Sequence, residues 1–395
     1  MIRRTLTAAV LGSALVAGTA TPALAEAPHG WEMQVMKVSA AQALAQGKGV
    51  TVAVLDTGVM KNHPAFKGRV TPGPDFIGGG ARPGQSYWGE HGTAMASSVL
   101  AVAPQAHVLS VRVIWDRLDP ARKRAEEAAN GGDKASREEN EKRGNALAKG
   151  IRYAVNKGAK VISMSLGTDE WSWAGYEKDT AAAVDYATGK GVVLVASSGN
   201  GGSTDILDTD ANNRVSYPAA FPEVIAVAAA GPDGRRAEFS QVHTYTTIAA
   251  PGVDIYAARN TGGYEAGSGT SPAAALTSGT VALMLSRNPK LTIRQIRDIL
   301  TRTAMKPPAG YTVFLGHGIV DAEAAVRAAA SPPVTKAASY QGKKYLGGGP
   351  NGSPVTHPPI DSVYLIVGGS GLGVGLLCMV GAFFLFRRPR PKRTS

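Results

Sequence analysis

Short apolar runs rich in β-branched residues alternate along the chain with longer stretches whose apolar positions follow a helical spacing. Gly, Pro or polar residues bound these runs, which is typical of strands buried on both faces of a parallel sheet. The predicted strands lie at 50–55, 108–114, 161–166, 192–196 and 224–228. The predicted helices lie at 92–101, 145–156, 179–188, 271–286, 293–303 and 321–330. This alternation predicts a doubly wound α/β fold, with a mostly parallel sheet and helices on both faces.

Residues 116–143 interrupt the alternation. Sixteen of these 28 residues are charged, eight of each sign, and two glycines lie in the middle. Such a charge run is typical of a solvated surface. We therefore expect an exposed insertion in the folded domain 50–330, either a loop or two short helices about the glycines. A docking arm for a partner is one hypothesis for its role.

The N-terminus carries the pattern of a secretory signal. Two arginines precede an apolar stretch, and residues 23–25 have the small-x-small spacing that a signal peptidase accepts. This predicts a signal peptide at 1–25 and a mature chain that begins at Glu26. The paired arginines leave a twin-arginine signal open as an alternative.

The C-terminus carries the pattern of a membrane anchor. Residues 363–386 contain no charge over 24 positions, and as a helix they would span about 36 Å against a hydrocarbon core of about 30 Å. The basic tail 387–395 is typical of the cytoplasmic side. The Pro/Gly-rich segment 331–362 is predicted to be a stalk. We therefore expect a single-pass protein of the cell membrane, with its folded domain on the extracytoplasmic side and its C-terminus in the cytoplasm.

Charge and cysteine content narrow the classes of function. The net charge is +12, but the signal-like segment and the tail supply +2 and +5, so residues 26–362 keep only +5. This removes the main argument for a nucleic-acid partner. A single cysteine, Cys378, excludes an intramolecular disulfide and a Cys-ligated zinc site. No cofactor is implied, and Asp205, Asp208 and Asp210 are too weak a pattern to assign a metal site.

Four residues whose side chains could take part in catalysis lie at positions where a parallel sheet presents functional groups. Asp56 ends the first strand, His91 opens a helix, Asn200 lies in a Gly-rich loop, and Ser271 begins an apolar helix. Each has an ordinary structural explanation when taken alone: a cap, a structural histidine, a loop residue or an N-cap. Together they supply an orienting carboxylate, a general base, an oxyanion donor and a nucleophile, in the chain order Asp, His, Ser.

The motifs around these residues identify a family resemblance. V-A-V-L-D-T-G surrounds Asp56, H-G-T contains His91, and G-T-S contains Ser271. In these motifs the chain resembles the subtilase family of serine proteases across about residues 31–330. The signal peptide, short N-terminal extension, stalk and anchor are similar to those of the mycosins, the subtilases associated with type VII secretion. The resemblance implies a serine endopeptidase that acts on protein or peptide substrates, with membrane components of that apparatus as partners.

The resemblance also implies a substrate-binding region and a role for the N-terminal extension. One backbone segment would pair with an extended substrate, and another would frame the pocket for the residue before the cut. The first comprises Ser165, Leu166 and Gly167, and the second comprises Ala196, Ser197 and Ser198. Residues 26–49 would wrap the domain without acting as an inhibitor.

The chain departs from the family pattern beside the nucleophile. Pro272 directly follows Ser271, and the proline that usually comes later in this motif is absent. Ser97 stands where many relatives carry glycine. We interpret both changes as compatible with activity. A second class of function stays open, in which the fold steadies a secretion apparatus whether or not it cuts.

Overall fold

The structure, a computed structural model, describes residues 30–130, 133–167, 178–204, 213–332 and 362–386. The predicted signal peptide, almost all of the predicted stalk and the basic tail lie outside these ranges. The chain divides into two compact units, residues 1–342 and 343–395.

The first unit is built on a parallel seven-stranded sheet with the order β2-β3-β1-β4-β5-β6-β7. The strands are β1 (Thr51–Asp56), β2 (Val70–Asp75), β3 (His107–Arg112), β4 (Val161–Met164), β5 (Val193–Ser197), β6 (Ile225–Ala230) and β7 (Ile248–Pro251). A separate antiparallel hairpin joins β8 (Ile255–Ala258) to β9 (Tyr264–Gly267). The chain turns from β1 toward β3 on one side and reaches β4 on the other, so a topological switch point lies between β1 and β4. Ligands bind at such a point in open α/β sheets.

Two strands of the sheet were not among the predictions. β2 lies at the edge of the sheet and contains Pro72 and Pro74, and proline is tolerated in a strand only where its missing N–H is not needed. β7 has only four residues, too few to stand out from a short apolar loop. The five predicted strands are all present, and the predicted α/β fold is confirmed.

The helices pack on both faces of the sheet. They are α1 (Trp31–Val35), α2 (Val38–Leu44), α3 (Glu90–Val102), α4 (Pro120–Asn130), α5 (Asp133–Asn156), α6 (Lys178–Gly189), α7 (Thr270–Arg287), α8 (Ile293–Thr303) and α9 (Ala322–Ala329). The predicted helix 145–156 is the end of the longer α5. Its earlier part lies in the charged insertion, where Ala, Glu, Lys and Arg favour helix.

Helix α7 lies at the centre of the unit, and 15 of its 18 residues are buried. It packs against β4, β5, β6 and the helix α3. Small residues allow this close approach: a Cβ added at Gly279 would lie 2.7 Å from Val102 Cβ. Because the two helices interlock, the start of α3 and the start of α7 are held in a fixed relation.

The N-terminal extension is part of the same core. Met36, Val38 and Ala41 are buried in it. Lys37 Nζ donates a hydrogen bond of 2.6 Å to Asp321 Oδ2, and Trp31 Nε1 donates one of 3.0 Å to Val253 O. Residues 30–49 are therefore fastened to the domain by apolar packing and by hydrogen bonds to distant segments.

Two aspartates near the start of the charged insertion are buried, which corrects the expectation that all of 116–143 is exposed. Asp116 and Asp119 are each 2% exposed. Arg112, also buried, donates to Asp119 Oδ2 at 2.7 Å and to Asp75 Oδ2 at 2.6 Å. Paired charges can be buried when their hydrogen bonds are satisfied, and the sequence pattern alone does not reveal such pairing.

The second unit contains α10 (Ser362–Phe386), a helix of 25 residues. Within the part of the chain that the structure describes, no helix combines the length and apolar character needed to cross a membrane. The anchor at 363–386 stays a prediction.

Candidate active site

Asp56 lies at the carboxyl end of β1 and is fully buried. Its Oδ1 accepts a hydrogen bond of 2.7 Å from Thr57 N and lies 2.8 Å from His91 Nδ1. A carboxylate at Nδ1 makes that nitrogen the donor of the imidazole ring, which leaves Nε2 as the free basic atom. The pair therefore fixes both the tautomer and the orientation of His91.

His91 lies in the first turn of α3, and 36% of its side chain is exposed. Burial lowers the pKa of His91, but the carboxylates of Asp56, Asp116 and Glu90 together raise it by more. The net pKa therefore lies above the ordinary value for histidine. A base with a raised pKa becomes neutral, and so able to accept a proton, only at a correspondingly higher pH.

The H-G-T and D-T-G motifs contact each other beside this pair. Gly92 N donates to Thr57 Oγ1 at 3.0 Å, and Met60 N donates to Thr93 Oγ1 at 2.9 Å. A Cβ added at Gly92 would lie only 2.1 Å from Gly58 O. Glycine is thus required there by the close approach of two backbones, and that approach brings His91 to the end of β1.

Ser271 is the second residue of α7 and is half-buried. Its hydroxyl donates to Ser165 O at 3.2 Å, and Ser165 Oγ donates to Ser271 O at 2.9 Å. The described residues include no hydrogen bond between Ser271 and His91. The backbone N–H of Ser271 lies in the first helical turn, where amides have no intrahelical partner. That N–H is therefore available to another acceptor.

Two departures from the family pattern have structural explanations. Pro272 is the third residue of α7, so its nitrogen falls within the first turn, where no intrahelical hydrogen bond is lost. Ser97 Oγ donates to Ala94 O at 2.7 Å and accepts from Ala258 N at 2.9 Å. Ser97 thus ties α3 to the β8 strand, a link that glycine lacks.

Asn200 is held against helix α7 by the oxygen of its side-chain amide. Asn200 Oδ1 accepts from Thr270 N at 2.8 Å and from Thr270 Oγ1 at 2.9 Å. Gly199 N in turn donates to Thr270 Oγ1 at 3.2 Å. Among the described residues Asn200 Nδ2 has no acceptor, so it can donate to a group bound in front of α7. The positive end of the helix dipole favours negative charge at the same place.

The predicted substrate-binding residues lie at the ends of neighbouring strands. Ser165, Leu166 and Gly167 directly follow β4, while Ala196 and Ser197 end β5 and Ser198 comes next. Ser197 Oγ donates to Leu166 O at 3.4 Å, which links the two segments. Of the six residues Leu166 is half-buried and Gly167 is exposed, while the other four are buried.

One residue of the site was missed from the sequence. Asp116 accepts a hydrogen bond from the His91 backbone, but it is the first residue of a charge run whose pattern indicates a solvated surface.

Asp205, Asp208 and Asp210 lie outside the described residues. Within the described ranges no group of three or more His, Cys, Asp or Glu side chains is placed to hold a metal ion.

Solved structures of mycosins resemble this chain in fold. MycP1 from Mycobacterium smegmatis matches with a TM-score of 0.61 and 28% identity, covering 78% of this chain and 86% of that one. The MycP3 protease from the type VII (ESX-3) secretion system matches with a TM-score of 0.61 and 29% identity, covering 75% and 88%. The predicted resemblance to mycosins is confirmed.

Sequence relatives point the same way. Subtilisin DY from Bacillus licheniformis is 32% identical over 294 residues, which cover 71% of this chain and 92% of the relative. Thermitase from Thermoactinomyces vulgaris is 33% identical over 316 residues, covering 78% and 95%. The model of the subtilase family matches residues 47–339. The chain therefore belongs to the subtilase family of serine proteases.

Proposed function

We propose that this chain is an extracytoplasmic serine endopeptidase, anchored in the membrane by residues 363–386, that works with a type VII secretion apparatus. Asp56, His91 and Ser271 would form its catalytic triad, with Asn200 as an oxyanion donor. The observation that carries the proposal is the 2.8 Å hydrogen bond between Asp56 Oδ1 and His91 Nδ1. This bond leaves Nε2 of the ring as the base, at the switch point of the sheet.

In the proposed mechanism Asp56 holds the ring and stabilises its charged form. The Ser271 hydroxyl turns from Ser165 O toward His91 Nε2, gives its proton to that nitrogen, and attacks the scissile carbonyl carbon. Asn200 Nδ2 and the Ser271 N–H donate to the oxyanion. His91 then gives the proton to the leaving amine, and water releases the acyl group by the same steps. Loss of one oxyanion donor typically costs about 3–4 kcal/mol of transition-state stabilisation.

The substrate in this proposal is an extended peptide. Gly167 is exposed and Leu166 is half-buried, so backbone groups of this segment lie where a substrate strand can pair with them. The buried residues Ala196, Ser197 and Ser198 would close the pocket for the residue before the cut. The likeness to MycP1 and MycP3 supports the assignment to type VII secretion, and the uncharged segment with its basic tail supports the anchor.

A serine-directed phosphonate tests the enzymatic role. We expect the full chain to be labelled at Ser271 and to cleave labelled casein. Ser271→Ala and His91→Ala should each remove nearly all turnover, because the triad acts as a unit. Ser268→Ala is a matched control, because Ser268 is exposed and lies three residues before the nucleophile. Labelling at another residue, or normal turnover in His91→Ala, would contradict the assigned roles.

A scaffold role is the second candidate function. It is favoured by the Ser271 hydroxyl, which is hydrogen-bonded to Ser165 O and not to His91. If the fold itself is what the apparatus needs, Ser271→Ala should restore secretion in a deletion strain. Failure to restore secretion at normal protein levels would favour proteolysis as the essential role.

A further inference from the structure

Asp116 is a buried carboxylate that lies beneath His91, although it belongs to the charged segment 116–143. Its Oδ1 accepts from His91 N at 3.1 Å, and its Oδ2 accepts from Glu90 N at 3.1 Å. These amides open α3, and Gly89 at the N-cap position has no side chain to accept them. Asp116 therefore caps the helix of His91 from a different part of the chain.

The same carboxylate also lies beside Thr57, the residue that follows Asp56. Thr57 Oγ1 accepts a hydrogen bond of 3.0 Å from Gly92 N. Burial raises the pKa of Asp116, and the hydrogen bonds from His91 N, Thr57 and Glu90 N offset part of that rise. Asp116 thus hydrogen-bonds the backbone of His91 and lies beside Thr57, the residue that follows Asp56. It therefore contacts both of the chain segments that carry the 2.8 Å hydrogen bond between Asp56 Oδ1 and His91 Nδ1.

We propose that Asp116 is a positioning residue for His91, which fixes the place of the ring and adds a negative charge beside it. This inference rests on the proposed role of His91 as the general base. Asp56, Asp116 and Glu90 are the charged groups that raise the pKa of His91. Among them only Asp116 combines a charge with hydrogen bonds to the backbone that carries the ring.

Asp116→Asn separates this role from ordinary capping, because it keeps the size of the side chain and one acceptor but removes the charge. The first readout is the pKa of His91, measured by NMR on the full chain in detergent with labelled histidine, and assigned with His91→Gln. We expect Asp116→Asn to lower that pKa, since a negative charge that favours the imidazolium is lost. Asp119→Asn is the matched control: it removes a buried carboxylate that pairs with Arg112 and should leave the pKa of His91 unchanged.

The second readout is turnover of labelled casein. Asp116→Asn should lower kcat by about tenfold or more with KM little changed, since misplacement of a catalytic group by about 1 Å can cost about a hundredfold. Glu90→Gln is the control for charge alone. Glu90 is exposed and its side chain makes no hydrogen bond among the described residues, so this variant should lower the pKa of His91 and keep kcat.

Three results would overturn the inference. They are an unchanged pKa of His91 in Asp116→Asn, wild-type kcat in that variant, or an equal fall of the pKa in Asp119→Asn. If Asp116→Asn does not fold, Asp116→Ser keeps one acceptor for the helix and carries the same test. Phosphonate labelling of the wild-type chain reports the proposed function separately, and the NMR readout needs no turnover.

Discussion

Gly92→Ala is the smallest change that should disable the site, because it adds one methyl group between two backbones. The new Cβ would lie 2.1 Å from Gly58 O, whereas Cβ contacts below 3.0 Å are essentially never found. The two segments must therefore separate by about 0.9 Å, well outside ordinary packing tolerance. If that movement falls on the 2.8 Å bond between Asp56 and His91, the bond lengthens to roughly 3.7 Å and is broken.

We expect Gly92→Ala to lower kcat/KM for labelled casein by about a hundredfold or more, and to lower the free energy of unfolding by about 1–3 kcal/mol. Gly150→Ala, in helix α5, is a matched control: its Cβ would lie 2.6 Å from Val113 Cγ1, and its nearest contacts, the side chains of Val113 and Leu55, include no residue of the proposed triad. It should lose comparable stability in urea titrations and keep its activity. Wild-type kcat/KM in Gly92→Ala, or equal loss of activity in Gly150→Ala, would refute this reasoning.

Two further predictions concern stability and location. Burial lowers the pKa of His243 to about 4 from 6.5. At pH values between these two, the unfolded chain binds a proton at His243 and the folded chain does not. The free energy of unfolding should therefore fall by about 3 kcal/mol as the pH drops from 6.5 to about 4. His243→Gln in the Ser271→Ala background should lose this pH dependence in urea titrations, and an unchanged pH profile would contradict it. Truncation before residue 363 should move the protein from the membrane fraction to the soluble fraction, because the proposed anchor is removed. Retention in the membrane fraction would exclude residues 363–386 as the sole anchor.

The sequence predicts the sheet well where local pattern and tertiary environment agree. β1 is a β-branched run that ends in a carboxylate, and its burial on both faces follows from the helices on either side. β2 is not predicted, because its two prolines argue against a strand. Its position at the edge of the sheet makes these prolines tolerable, since their missing N–H groups are not needed there. Only the final order of strands shows that β2 lies at the edge.

The candidate site, like the sheet, is predicted only in part by the sequence. The motifs predict which residues meet, because the carboxyl ends of parallel strands share one edge of the sheet. They do not predict that the Ser271 hydroxyl is directed to Ser165 O, since that direction depends on β4 and α7 together. Asp116 was missed because local charge density indicates solvent, and its burial depends on α3, on Thr57 and on the Arg112 pairs brought from other segments.

Helix α7 carries Ser271, the proposed nucleophile, and 15 of its 18 residues are buried. Its amides should exchange with deuterium only when the whole domain unfolds, whereas surface segments open far more often. Molecules with a locally opened surface would then still carry an intact Ser271 site. Such molecules are at once cleavable chains and working proteases, so self-digestion, rather than collapse of the site, would set the lifetime of the purified enzyme.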